Sequence, residues 1–308
     1  MLVTKTWTSV VVGCGFVGLV AAGCGGGGGS SDAAGGGADG PIGGADGASG
    51  WVPYVSGDLP RASIEGVVML SNFTQVTRAG ATWSLGATSV AANVIHADDA
   101  VLSRFSRSDA SDCVVYEGVT NWTSRMGLTP ITVASSESQS YTATWNGTSY
   151  AVSGLVGGAA FGVDENVDVT APAFSQHLEG PQAPPFADAN DHLGAAAGLA
   201  TVFSMPDAAS FDLMFTFVAG TGTSAGGGEY GAMCERTKAD LALADGDRSA
   251  PLVDAAAIAR LTDLGITPTT VNVAVYRTAD VSGAFVEHEP INLQVGQMLT
   301  IPAATLAP

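Results

Sequence analysis

The chain has 308 residues, of which 46% are hydrophobic and only 13% are charged. Its 29 Asp+Glu against 11 Lys+Arg leave a net charge of −18. So few cations exclude a phosphate-tracking surface, so no nucleic-acid partner is expected. The low charge fraction excludes charge-driven disorder, and the length suffices for a sizeable core.

In chain order, Lys5 precedes an apolar run over residues 10–22 that ends in small residues before Cys24. This is the layout of an export signal, predicted over residues 1–23. A rival pattern overlaps it: Gly13-Cys14-Gly15-Phe16-Val17-Gly18 is G-x-G-x-x-G after the strand-like Ser9-Val10-Val11-Val12. That motif needs a continuing helix and a second strand. Five consecutive glycines, 25–29, follow instead, each costing a helix about 1 kcal/mol relative to Ala. The export signal is therefore the reading retained. Residues 24–60 are expected to be a disordered, Gly-rich linker, with Asp32, Asp39 and Asp46 keeping it solvated. The r.m.s. reach of its glycine-rich part is about 30 Å.

From Arg61 onward, short runs rich in Val, Thr, Tyr and Phe alternate with Gly, Asn, Asp and Pro. Strands are predicted over 63–70, 81–85, 89–95, 112–116, 131–134, 140–145, 149–153, 167–170, 200–204, 211–218, 229–234, 271–277 and 297–301. Phe211, Leu213, Phe215 and Phe217 alternate and so share one face of their strand. Asn146-Gly147 predicts a hairpin, because this pair tolerates positive φ. One helix is predicted over 254–264, capped by Asp254 and stopped by Gly265, with Ile258 and Leu261 on one face. The fold class expected is all-β: antiparallel β-sandwich (Ig-like) modules with one short helix. The Pro-rich stretch 180–185 divides the body into module 1, residues 61–182, and module 2, residues 183–308.

Two resemblances follow. Ala21-Ala22-Gly23-Cys24 resembles the lipobox of bacterial lipoproteins, with Ala21 where Leu is usual. The resemblance implies acylation at Cys24, a lipid bilayer partner and, with Gly25 next, outer-membrane sorting in the cell envelope. Stable anchoring takes two or more chains. Val167-Asp168-Val169-Thr170-Ala171-Pro172-Ala173-Phe174-Ser175-Gln176-His177 is similar to a segment of uncharacterised secreted lipoproteins of myxobacteria. Met233-Cys234, residues 251–258 and residues 271–276 are similar as well. That likeness implies an all-β lipoprotein and carries no activity with it.

Candidate chemistry is sparse. Gly222-Thr223-Ser224-Ala225-Gly226 matches G-x-S-x-G, and Asp245 and His288 follow in hydrolase order. A nucleophile elbow needs a strand, a strained turn and a helix, whereas this motif sits in a Gly-rich loop. A hydrolase using Ser224, Asp245 and His288 is thus the alternative reading. Asp188, Asn190 and Asp191 are oxygen-rich enough for Ca²⁺, as are Asp164, Glu165 and Asn166, but neither group is an EF-hand. His96, His177, His192 and His288 show no metal-ligand spacing, and no cofactor is expected. Cys113 and Cys234 either form a disulfide or stay as buried thiols. Trp51, Trp83, Trp122 and Trp145 are candidates for stacking on a glycan. The expected function is non-enzymatic: a binding or structural role at the cell surface or periplasm, with a glycan or envelope protein as partner.

Overall fold

The computed structural model describes residues 50–54, 67–96, 103–119, 123–124, 128–135, 140–147, 149–154, 166–178, 188–194, 197–205, 211–222, 228–237, 240–241, 248–286 and 289–306. The predicted export signal, Cys24, the glycine-rich part of the linker and the 180–185 boundary lie outside these residues, as do Asp164 and Glu165.

The described chain is mostly strand. In order the strands are β1 (Val52–Pro53), β2 (Val67–Ala79), β3 (Thr82–His96), β4 (Phe105–Arg107), β5 (Cys113–Val119) and β6 (Thr123–Ser124). Next come β7 (Ile131–Ser135), β8 (Ser140–Trp145), β9 (Tyr150–Ser153), β10 (Val167–Ala171), β11 (Phe174–Leu178) and β12 (Val202–Met205). The last are β13 (Leu213–Thr221), β14 (Glu229–Thr237), β15 (Arg248–Pro251), β16 (Thr267–Val286) and β17 (Glu289–Pro302). The helix α1 (Ala255–Asp263) lies between β15 and β16.

Local sequence explains several elements. Asp254 caps α1, its carboxylate accepting from Ala257 N at 2.9 Å. Gly265 follows the helix with φ +64°. At the β8–β9 turn, Ser149 N donates to Asn146 Oδ1 at 2.9 Å and Gly147 has φ +104°. β10 and β11 form a hairpin about Pro172-Ala173.

A ten-stranded sheet runs β1-β4-β5-β14-β13-β16-β17-β2-β3-β6, a five-stranded sheet runs β11-β10-β7-β8-β9, and β12 pairs with β15. The architecture is all-β and sandwich-like. Among the described residues, every ladder between strands is antiparallel except β17–β2, which is parallel. The large sheet takes β1 to β6 from before residue 182 and β13, β14, β16 and β17 from after it. The two expected modules therefore share one sheet rather than each closing its own. The physical reason is pairing across the boundary: β5 has its partner in β14, and β2 in β17. The linker expectation is corrected at its end too. Residues 50–54 join the large sheet, with Trp51 and Tyr54 buried and β1 paired to β4.

Alternation along the strands sorts the core into three parts. On one face of the large sheet, Val271, Val273, Val275, Leu299 and Ile301 pack with Ala257 and Leu261 of α1 and with Phe203 and Met205 of β12. Further along the same face, Val68, Leu70, Leu293 and Val295 pack against Ile131, Val133, Tyr141 and Val169 of the small sheet. The opposite face carries Met69, Phe105, Tyr116, Phe215, Phe217, Met233 and Tyr276.

Cys113 and Cys234 sit directly opposite each other on β5 and β14 and form a disulfide. This resolves the choice between a bond and free thiols. Asp254 braces the same corner: its Oδ2 accepts from Ser111 Oγ at 2.7 Å and from Asp112 N at 3.0 Å.

Candidate functional site

The aromatic face of the large sheet holds a cleft, and its shape follows from residue size. Across β16, β17, β2 and β3 the register aligns Tyr276, Gly296, Ser71 and Ala91, with Ala274 two residues from Tyr276. These small residues make a depression between taller neighbours. Phe215 and Phe217 of β13 rise on one side, and Phe73, Met69 and Met298 on the other. Met69, Ser71, Phe215, Phe217, Asn272 and Ala274 are buried, while Phe73, Ala91, Asn93 and Met298 are half-buried and form the rim. The empty volume, open mouth included, is about 490 Å³, and the enclosed part admits only a water-sized group.

Two tyrosines shape this face by lying over glycines. Tyr276 is paired directly with Gly296, and Gly296 with Ser71. A Cβ at Gly296 would meet Val275 O and stand 2.8 Å from Tyr276 Cδ1. With no Cβ there, the Tyr276 hydroxyl reaches Ser71 Oγ at 3.0 Å. Tyr116 repeats the device across Gly231, donating to Val218 O at 2.8 Å. Burial holds both phenols well above the usual range. Among the described residues, the side chain bonded to Ser71 is thus a neutral phenol.

Polar groups at the cleft are few. Asn272 is 5% exposed, and its Oδ1 has no hydrogen-bond partner among the described residues. Its cross-strand neighbour Thr300 has an unpartnered, buried Oγ1. A buried acceptor left unpaired costs about 1–3 kcal/mol. None of the described lining residues is charged. One acid on this face is Glu235, cross-strand from Phe215. Desolvation, with Asp240 adding repulsion, pushes its carboxyl up to about 7.

A second, more polar cleft lies at the β1–β4 edge, lined by Trp51, Arg104, Phe105, Glu117 and Arg260 among others. Arg260 Nη2 is 3.7 Å from Glu117 Oε1.

The other residues singled out from sequence fare differently. Ser224, Asp245 and His288 lie outside the described residues. Of the calcium candidates, Asp188 Oδ1 accepts from Asn190 N at 2.8 Å, capping a short 3₁₀ turn (Ala189–Asp191). That bond lowers the Asp188 carboxyl below its ordinary value. Asn190 is committed elsewhere: its Oδ1 accepts from Trp83 N at 2.9 Å and its Nδ2 donates to Trp83 O at 2.8 Å. The amide thus imitates a neighbouring strand and docks the turn onto β3. Among the described residues no group of three His, Cys, Asp or Glu could hold a metal ion.

Two of the four tryptophans expected to offer a stacking platform are corrected. Trp51 and Trp83 are core residues, 6% and 3% exposed. Trp83 Nε1 donates to Gly194 O at 3.3 Å, and Trp145 packs edge-on against Tyr150. Trp122 lies outside the described residues. Of the histidines, His192 is buried and stacks on Phe203, while exposed His177 Nδ1 lies 2.6 Å from Asp168 Oδ1 across the β10–β11 ladder. Sequence reasoning missed the cleft altogether. Its one local signal was the Phe211–Phe217 alternation, which placed two wall residues on a common face.

No protein-family model matches the chain, and no curated protein or solved structure matches it.

Proposed function

We propose that this protein is exported, acylated at Cys24 and held at the bacterial outer membrane, where its β-sheet body has a non-enzymatic binding role. The observation that carries export is the Cys113–Cys234 disulfide. Such bonds persist in oxidising compartments and are rare where thiols are kept reduced. The apolar leader and the lipobox-like Ala21-Ala22-Gly23-Cys24 point the same way. So does the resemblance to secreted lipoproteins of myxobacteria, and a lipid anchor with a glycine-rich tether would present the body away from the bilayer.

The binding role is supported by the cleft over β16, β17 and β2. It combines apolar walls with a few polar side chains, Ser71, Asn93 and Asn272, the usual make-up of a small-molecule site. Radiolabelled palmitate tests the anchor in a bacterial host that processes lipoproteins. The label should enter the wild-type chain and be lost in Cys24→Ser. A chain that never takes up label, or that keeps it after the substitution, overturns the reading.

A further inference from the structure

We propose that the cleft on the aromatic face binds a neutral aromatic molecule that donates one hydrogen bond, of the indole or phenol type, with Asn272 as the acceptor. This names the ligand class for the binding role above and rests on that reading.

Three features carry it. The first is charge. None of the described lining residues is ionised, so an ionic ligand would lose its water and gain no counter-charge. The second is the direction of the hydrogen bond. Asn272 Oδ1 is buried and unpartnered, so the missing group is a donor. Thr300 Oγ1, its neighbour across the ladder, is buried and unpartnered as well. The third is shape and surface. Phe215 and Phe217 lie nearly parallel, 15° apart, beside the thioethers of Met69 and Met298. Rings and thioethers make favourable contacts with an aromatic edge or face. The enclosed part is only water-sized, which suits a hydroxyl or ring N–H entering first while the ring rests between Phe73 and Met298 at the rim. A long aliphatic chain would find no depth to fill.

The test is calorimetric titration of the full-length chain carrying Cys24→Ser, with a matched detergent blank subtracted. The probes are indole, 1-methylindole and quinoline. Indole should bind saturably. 1-Methylindole, which has no N–H, and quinoline, which only accepts, should each bind at least about tenfold more weakly. Asn272→Leu should bring indole down to the level of 1-methylindole. Ala274→Leu should fill the floor and abolish binding, and Ala91→Phe at the half-buried rim should do the same without burdening the core. Melting curves identify any variant that fails to fold, and the comparison of the three probes on the unsubstituted cleft needs no variant at all.

The proposal is overturned if indole does not bind saturably, as when the cleft takes up only water. Equal affinity for indole and 1-methylindole, or binding untouched by Ala91→Phe, also overturns it. Palmitate labelling at Cys24 is indifferent to these results, so failure of the probe and failure of the anchor are read separately.

Discussion

Tyr276 reaches Ser71 by lying across Gly296, and the 3.0 Å bond between their hydroxyls joins two strands that are not neighbours. The glycine is required by space, because a Cβ there would meet a backbone carbonyl that has nowhere to go. Gly296→Ala is therefore expected to destabilise by about 1–3 kcal/mol through overpacking. Tyr276→Phe should cost about 1 kcal/mol, the value of one hydrogen bond. Urea unfolding of the two variants and of Ser71→Ala checks this. The Tyr276→Phe and Ser71→Ala effects should be non-additive, since they share one bond.

The disulfide closes a sequence separation of 121 residues between two fully buried cysteines. By the chain-entropy account it stabilises by roughly 4–5 kcal/mol. The double variant Cys113→Ala, Cys234→Ala should show that loss in denaturant midpoint. The folded wild-type protein should resist mild reductant until it is partly unfolded, as followed by thiol labelling.

Glu235 makes stability depend on pH. Its folded-state value of about 7 lies above the ordinary 4.5, so the native state holds a proton that the unfolded chain releases. The protonated form is the one the fold prefers. Stability should be highest below about pH 4.5 as far as this group is concerned, and should fall as pH rises from there through 7. The loss by pH 8 is at most roughly 3 kcal/mol, less for its partial exposure to solvent. Glu235→Gln should flatten this part of the profile and raise the melting temperature at pH 8.

Arg236 is 2% exposed, yet its one described partner is the largely exposed Asp112, whose Oδ2 lies 3.3 Å from Nε. Both terminal nitrogens are buried and unpartnered among the described residues. A buried cation so poorly satisfied contributes little beyond its packing. Arg236→Met should be neutral or stabilising, by up to about 4 kcal/mol. Asp112→Ala should destabilise, because it removes the one partner and leaves the charge in place. Thermal melts of the two single variants separate these outcomes.

Much of the local structure was written plainly in the sequence. Asp254 and Gly265 bracket a helix because a carboxylate satisfies its first amides and a glycine tolerates the left-handed turn after it. Asn146-Gly147 turns a hairpin for the same conformational reason. Phe215 and Phe217 share a face because side chains alternate along a strand. The full length of β16 and β17 was harder to see, since polar residues such as Asn272, Asn292 and Gln294 interrupt the apolar pattern. Those residues turn out to lie on the face opposite the valines and leucines.

Period, caps and turn residues act over a few positions, so the residues alone settled the all-β character, the helix after Asp254 and the hairpin. Folding decided which distant strands meet. The parallel pairing of β17 with β2 joins Asn292 to Val67, and β14 lies beside β5 so that Cys234 faces Cys113. The cleft exists because five strands from both ends of the chain align Tyr276, Gly296, Ser71 and Ala91 in one row, beside a second row of Phe215, Ala274, Met298 and Phe73. No local pattern encodes such a row. It arises from the burial that all the strands gain together when the sheet closes over its cores.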